Sequence, residues 1–244
     1  MTNGGQRIAT STGVMLADPA ALGNPLQIAG ESLFDPTFWA ARGELAAVSG
    51  GRGSAWFVGP AAYPWVLRHY RRGGFAARVS KDRFWWCGES KVRAFAEWRL
   101  LWQLLQHGLP VPQPIAAWYR REAVSYRCDL LMRRIADAQP LSALLLLSAL
   151  PESSWRAIGL VIAHLHRAGV DHADLNAHNI LLDSAGAVSV IDFDRGQLRA
   201  PGKWRERNVR RLQRSLAKIS QLLPPDRFTP AAWHAFLAAY HEAG

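Results

Sequence analysis

Cysteine is nearly absent from the 244-residue chain, which has only Cys87 and Cys128. These two fit neither a metal-ligand spacing nor a disulfide framework. A zinc-built fold and a stapled secreted fold are therefore excluded, and a reducing, cytoplasmic setting is expected. Long apolar runs are missing too. The longest, Leu141 to Leu150, is interrupted by Ser142 and Ser148 and is too short to span a bilayer. The N-terminus carries Gly, Gln and Arg with no continuous apolar stretch, so no secretory signal peptide is expected. Internal repeats and low-complexity linkers are also lacking. Acid is the scarce charge: 19 Asp and Glu stand against 29 Lys and Arg, a net charge of +10. Most of the excess is arginine, which points to an anionic partner such as phosphate, nucleic acid or an acidic membrane surface. The plainer alternative is a basic, soluble protein.

What is present suits a globular fold. About half the residues are hydrophobic and a fifth are charged. The length accommodates one two-lobed domain or two small ones. Eleven tryptophans suggest core packing, with an interfacial role open for some.

Residues 1–30 are polar and rich in Gly, Ala and Thr, with short strands expected at Gln6–Thr10 and Gly13–Leu16. Asp35-Pro36 starts a helix running to about Arg42, with Asp35 as cap and Pro36 in the first turn. Residues 46–58 read as strand, glycine turn, strand. The turn holds Gly50, Gly51 and Gly53. It is either an ordinary hairpin or a loop whose backbone N–H groups approach phosphates. Tyr63–Tyr70 is a third strand, with Trp65, Leu67 and His69 on one face and Val66, Arg68 and Tyr70 on the other. A basic cluster follows: Arg68, Arg71, Arg72, Arg78, Lys81 and Arg83, then Phe84, Trp85 and Trp86. It is either a solvated face or a surface for an anionic substrate or membrane.

Lys91–His107 is an amphipathic helix with Ser90 as candidate cap and Gly108 as stop. Glu97 lies in its first half. Strands are expected at Ile115–Tyr119 and Ser125–Met132, joined through a connector at 133–140 to a buried helix, Leu141–Leu150. A helix at about 153–168, a basic helix at Lys203–Leu223 and a last helix at Ala231–His241 complete the chain.

The densest chemistry lies at residues 172–194. Asn179 follows Asp174 by five residues, and an apolar run follows Asn179. A tight hairpin then delivers Asp192 at the end of a second apolar run, Val188 to Ile191. A carboxylate and an amide in one loop, with a second carboxylate at a strand end, suit one hard cation and a hydroxyl nucleophile. His172 reads as a brace for the loop, His178 as a loop residue, and Asp171 and Asp183 as turn residues. Asp194 either supports the cation site or reaches an acceptor.

This stretch resembles the H-R-D-x-x-x-x-N and D-F-G motifs of the protein-kinase-like superfamily. Here they read His172-Ala173-Asp174-Leu175-Asn176-Ala177-His178-Asn179 and Asp192-Phe193-Asp194. Ala173 and Asp194 depart from the pattern, away from regulated protein kinases. Together with Gly51-Arg52-Gly53 and Trp65-Val66-Leu67-Arg68-His69-Tyr70-Arg71-Arg72-Gly73-Gly74, the motifs look like those of the 3-deoxy-D-manno-octulosonic acid (Kdo) kinases, in the lipopolysaccharide-kinase branch. The likeness covers roughly residues 45–200.

That resemblance implies an α+β, bilobal fold: an N-terminal antiparallel sheet with one long helix (1–132) and a mainly helical C-terminal catalytic lobe (133–244). It implies ATP and Mg²⁺ as cofactors, Asp174 as catalytic base, and Asn179 and Asp192 as metal ligands. It implies nucleotide contacts from Gly50, Gly51, Gly53 and Arg68, and from Met132 at the entry to a hinge. Arg68 stands where the pattern has lysine. Glu97 is its expected partner, with Glu89 as runner-up. The implied acceptor is Kdo-lipid A at the cytoplasmic face of the inner membrane, reached by a peripheral protein lying on an anionic surface. No nucleic-acid motif and no obligate protein partner are seen. Other expectations from the residues are a phosphotransferase of the aminoglycoside or RIO type, and a glycolipid-binding pseudokinase, which Arg68 keeps open.

Overall fold

Period-two alternation of apolar residues builds the first part of the chain into sheet, and period-3.6 stripes build the last part into helix. The computed structural model describes residues 5–47, 54–60, 64–72 and 82–244. They fall into two compact units. One comprises Met1–Trp102 with Gln113–Arg134, the other Gln103–Pro112 with Ile135–Gly244. The fold is α+β, as expected.

The first unit contains β1 (Gln6–Ala9), β2 (Val14–Ala17), α1 (Pro19–Ala29), α2 (Pro36–Ala40), β3 (Leu45–Ala47), β4 (Ala55–Val58), β5 (Trp65–His69), β6 (Phe84–Trp85), most of α3 (Arg93–Gln106), β7 (Pro114–Glu122) and β8 (Ser125–Arg133). Its strands form one sheet in the order β1-β2-β7-β8-β5-β4-β3, with β6 added on β8. Every pairing is antiparallel. Leu67, Ile115 and Leu131 carry a core with Leu22, Leu33, Phe34 and Trp39 from the N-terminal helical segments. Asp35 caps α2 by accepting from the Thr37 amide at 2.8 Å.

Two local expectations change. The polar reading of residues 1–30 missed α1. Gly23-Asn24-Pro25 looks like a turn, but it is a kink inside the helical segment, with Gly23 at φ 68°. Ser90 does not cap α3; it sits in a 3-10 turn, Glu89–Lys91, before the helix begins at Arg93.

The second unit contains β9 (Gln139–Pro140), α4 (Leu141–Leu147), α5 (Glu152–Arg167), β10 (Val170–Asp171), β11 (Ile180–Leu182), β12 (Val188–Val190), β13 (Gln197–Leu198), α6 (Trp204–Ser220) and α7 (Pro230–Glu242). The expected fully buried helix at Leu141–Leu150 is shorter and one-sided. It ends at Leu147, and Leu146 and Leu147 face solvent. Along α5 the buried residues Trp155, Ile158, Gly159, Ile162, Ala163 and His166 recur at helical spacing. They pack with Phe236 and Ala239 of α7 into the core of this unit.

Gly159 marks the close approach of α5 to α7. A Cβ there would stand 2.4 Å from the Phe236 carbonyl oxygen and 3.1 Å from the Tyr240 amide nitrogen. His166, in the same interface, has its Nδ1 2.8 Å from the Tyr240 hydroxyl. Burial, assisted by the Arg205 guanidinium, lowers its pKa from 6.5 to about 4. The imidazole is therefore neutral in the folded protein at neutral pH.

Two outcomes follow. Helix propensity alone would have Gly159→Ala stabilise α5. The backbone clash instead makes it cost about 2 kcal/mol, measurable by urea unfolding. For His166 the folded pKa lies below the unfolded one, so the unfolded chain binds the proton more readily. The stability it contributes is present above about pH 6.5 and is lost as pH falls towards 4. Wild type should lose about 2 kcal/mol more than His166→Gln between pH 7 and pH 5 in the same assay.

Candidate active site

In the first unit, Arg68 sits on β5, hydrogen-bonded between β4 and β8, opposite Ala55 and Leu130. Its Nη1 donates to both carboxylate oxygens of Glu97 on α3, at 3.1 and 3.2 Å. The Glu97 side chain is fully buried. The Tyr70 hydroxyl also donates to Glu97. Arg68 and Tyr70 are two residues apart, so strand alternation sends both to the same face. Glu89, the runner-up, is engaged elsewhere, with Arg7 at 3.1 Å and the Tyr119 hydroxyl at 2.8 Å. Met132 is buried near the end of β8, opposite Val66 and Pro114. Gly50, Gly51 and Gly53, like Arg78 and Lys81, lie outside the described residues. Of the remaining basic cluster, Arg83 is paired with Glu122 at 2.9 Å.

In the second unit, β10 leads into the loop at 172–179, β11 and β12 form the expected hairpin, and Asp192 follows. Asp183 turns the hairpin, accepting from the Ala185 and Ala187 amides at 2.9 and 2.8 Å. The backbone of Ile191 then joins the two halves of the site. Its N–H donates to the Asn179 carbonyl at 2.9 Å. Its carbonyl accepts from His172 Nε2 at 2.9 Å. Nδ1 of His172 accepts the Asp174 amide at 3.3 Å, which fixes the tautomer. The ring is buried and packs against Phe193 at 4.7 Å. Burial holds its pKa below the ordinary value, so it is a neutral brace rather than a proton carrier.

Asn179 Nδ2 donates to the Asp174 carbonyl at 3.0 Å, and Asn176 Nδ2 donates to the same oxygen at 2.9 Å. Asp192 adopts φ 67°, a left-handed conformation in which Asp is among the few tolerated side chains. An amide oxygen such as that of Asn179 and a carboxylate such as that of Asp192 are hard oxygen donors, the chemistry a hard cation takes. Asp174 itself is 58% exposed, accessible to an incoming hydroxyl.

Two residues depart from their expected roles. Asp171 is a buried anchor rather than a turn residue: Asn208 Nδ2 donates to it at 2.8 Å and Arg199 Nη1 at 2.9 Å. His178 does more than populate a loop, meeting Ser142 of α4 at 2.8 Å.

The basic helix α6 had no expected place at the site, yet it packs against the loop. Ser215 Oγ accepts the Ala177 amide at 3.2 Å, and Arg211 Nη1 lies 3.7 Å from Asp174 Oδ1. The sequence carries one clue. Trp204, Asn208, Leu212 and Leu216 share a buried stripe, and the asparagine in it needs a polar partner.

Residues 36–240 match the model of the "Lipopolysaccharide kinase (Kdo/WaaP) family". A relative from Xylella fastidiosa (strain 9a5c), named 3-deoxy-D-manno-octulosonic acid kinase, is 52% identical over 188 residues, 77% of this chain and 75% of its own. A protein of the same name from Xanthomonas euvesicatoria pv. vesicatoria (strain 85-10) is 51% identical over 195 residues, covering 80% and 78%.

Removing one charge partner from a buried carboxylate is costly. Arg68→Met should therefore lower unfolding stability by roughly 2–3 kcal/mol. The double variant Arg68→Met/Glu97→Gln should recover part of that loss in the same denaturation assay, because no charge is then left buried.

Proposed function

The chain belongs to the lipopolysaccharide kinase (Kdo/WaaP) family, and from that premise we propose that it transfers the γ-phosphoryl group of ATP to the 4-hydroxyl of Kdo on Kdo-lipid A. The observation that carries the reading is the joining of Asp174, Asn179 and Asp192 through the backbone of Ile191 and the His172 ring.

Asp174 accepts the proton of the attacking hydroxyl and orients it. The transition state is loose, so positioning and charge neutralisation outweigh basicity. Asn179 and Asp192 would hold Mg²⁺, which neutralises the nucleotide phosphates when bound. Arg68 carries a permanent positive charge suited to nucleotide phosphates, with its guanidinium fixed by Glu97. Gly50, Gly51 and Gly53 keep their expected part as nucleotide contacts in this reading, and the strand end at Met132 leads to backbone groups that take the adenine. In this reading residues 1–132 form the nucleotide-binding lobe and residues 133–244 the catalytic lobe.

The acceptor is borne by a lipid, so we also place the protein against the anionic cytoplasmic face of the inner membrane. No helix among the described residues is long and apolar enough to cross a membrane. Peripheral contact is supported by Trp85 and Val124, exposed side by side where β6 meets the β7–β8 turn, and by Arg121, exposed on β7. Trp and Arg together suit the headgroup region.

The test is transfer of label from ATP to Kdo-lipid A with Mg²⁺. Wild type should transfer, and Asp174→Asn should be slower by about 10²–10⁴-fold while still binding ATP. Folded wild-type protein that transfers nothing to Kdo-lipid A would overturn the assignment.

A further inference from the structure

A kinase whose acceptor is an acid faces an electrostatic problem. Asp174 must stay ionised to take a proton, and an anionic acceptor brought beside it is repelled. A cation at the same spot removes the conflict. The second unit provides one from an element outside both motifs. Arg211 of α6 holds its Nη1 3.7 Å from Asp174 Oδ1, with its side chain 48% exposed.

Arg211 belongs to a stripe. Arg207, Arg211, Arg214 and Lys218 recur at helical spacing, and all four are exposed. The single acid of α6, Glu206, pairs with Arg210, off this stripe. Arg207, Arg214 and Lys218 have no carboxylate partner among the described residues. The helix is also held firmly in place at the loop, by Asn208 on Asp171 and Ser215 on the Ala177 amide. The stripe is therefore a fixed, solvent-open row of positive charge that passes beside the Asp174 carboxylate.

We propose that Arg211 binds an anionic group of the acceptor beside Asp174, with Arg207, Arg214 and Lys218 extending the same acceptor track. This rests on the kinase reading above and adds what selects an acidic acceptor. A guanidinium carries five N–H donors in a planar fork, enough to serve Asp174 and a second oxyanion together. The oxyanion is a carboxylate of the sugar acid or a phosphate of its lipid.

The experiment compares wild type, Arg211→Ala and Arg211→Lys on three acceptors: Kdo-lipid A, its Kdo carboxyl methyl ester, and its dephosphorylated form. Arg211→Ala should lower kcat/KM for intact Kdo-lipid A by roughly tenfold to a hundredfold, with the KM for ATP unchanged. Arg211→Lys should fall between. The deficit should vanish on one modified acceptor: on the ester if Arg211 holds the sugar carboxylate, on the dephosphorylated form if it holds a lipid phosphate. A deficit of equal size on all three would mean that Arg211 acts only through Asp174, and would overturn the proposal. Calorimetric binding of Kdo-lipid A without nucleotide separates this from the kinase assignment. Weaker binding by Arg211→Ala supports the acceptor site even if no phosphoryl transfer is seen, and equal binding overturns it.

Discussion

Two hydrogen bonds to the backbone of Ile191 set the geometry of the candidate site. Its N–H is taken by the Asn179 carbonyl and its carbonyl by His172 Nε2. The residue that precedes Asp192 is thereby tied to both ends of the loop that carries Asp174. The arrangement works only with a neutral imidazole of one tautomer, and burial supplies that condition by lowering the His172 pKa. Phe193, packed on the ring, keeps water from competing for these bonds. The next position, Asp192, sits in the left-handed region.

The carboxylates divide by burial. Glu97 and Asp171 are buried, and each is satisfied by an arginine and a second polar donor. Such groups fix neighbouring elements: Glu97 holds Arg68 on β5, and Asp171 holds α6 at the start of the loop. Asp174 is more than half exposed, with Arg211 Nη1 3.7 Å from its Oδ1. That difference in environment separates carboxylates locked into the packing from one open to solvent.

Much of this was legible in the sequence. The loop at 172–179 and the hairpin to Asp192 were readable because their chemistry is packed into consecutive residues. β5 was readable because alternation sorts Arg68 from Leu67, and α5 because its apolar stripe keeps the helical period. Other features misled for physical reasons. Residues 1–30 read as polar and rich in Gly, Ala and Thr, yet Pro19–Ala29 stays helical on either side of one left-handed glycine. Leu141–Leu150 is mostly apolar, and composition does not say which face meets solvent. Asp171 precedes a loop and looks like a turn residue, but its partners lie 28 and 37 residues away.

By itself the sequence determined the fold class and the kinase family, and it singled out Asp174, Asn179 and Asp192 as candidates, since all of these rest on local spacing. Only the tertiary structure decided which acids pair with which bases. Glu97 and Glu89 are both near enough in sequence to serve Arg68, and packing of α3 on the sheet selects Glu97. Arg211 lies 37 residues beyond Asp174, and only the docking of α6 brings them together. Charges attract through space rather than along the chain, so a pairing between distant residues exists only once the elements carrying them have packed.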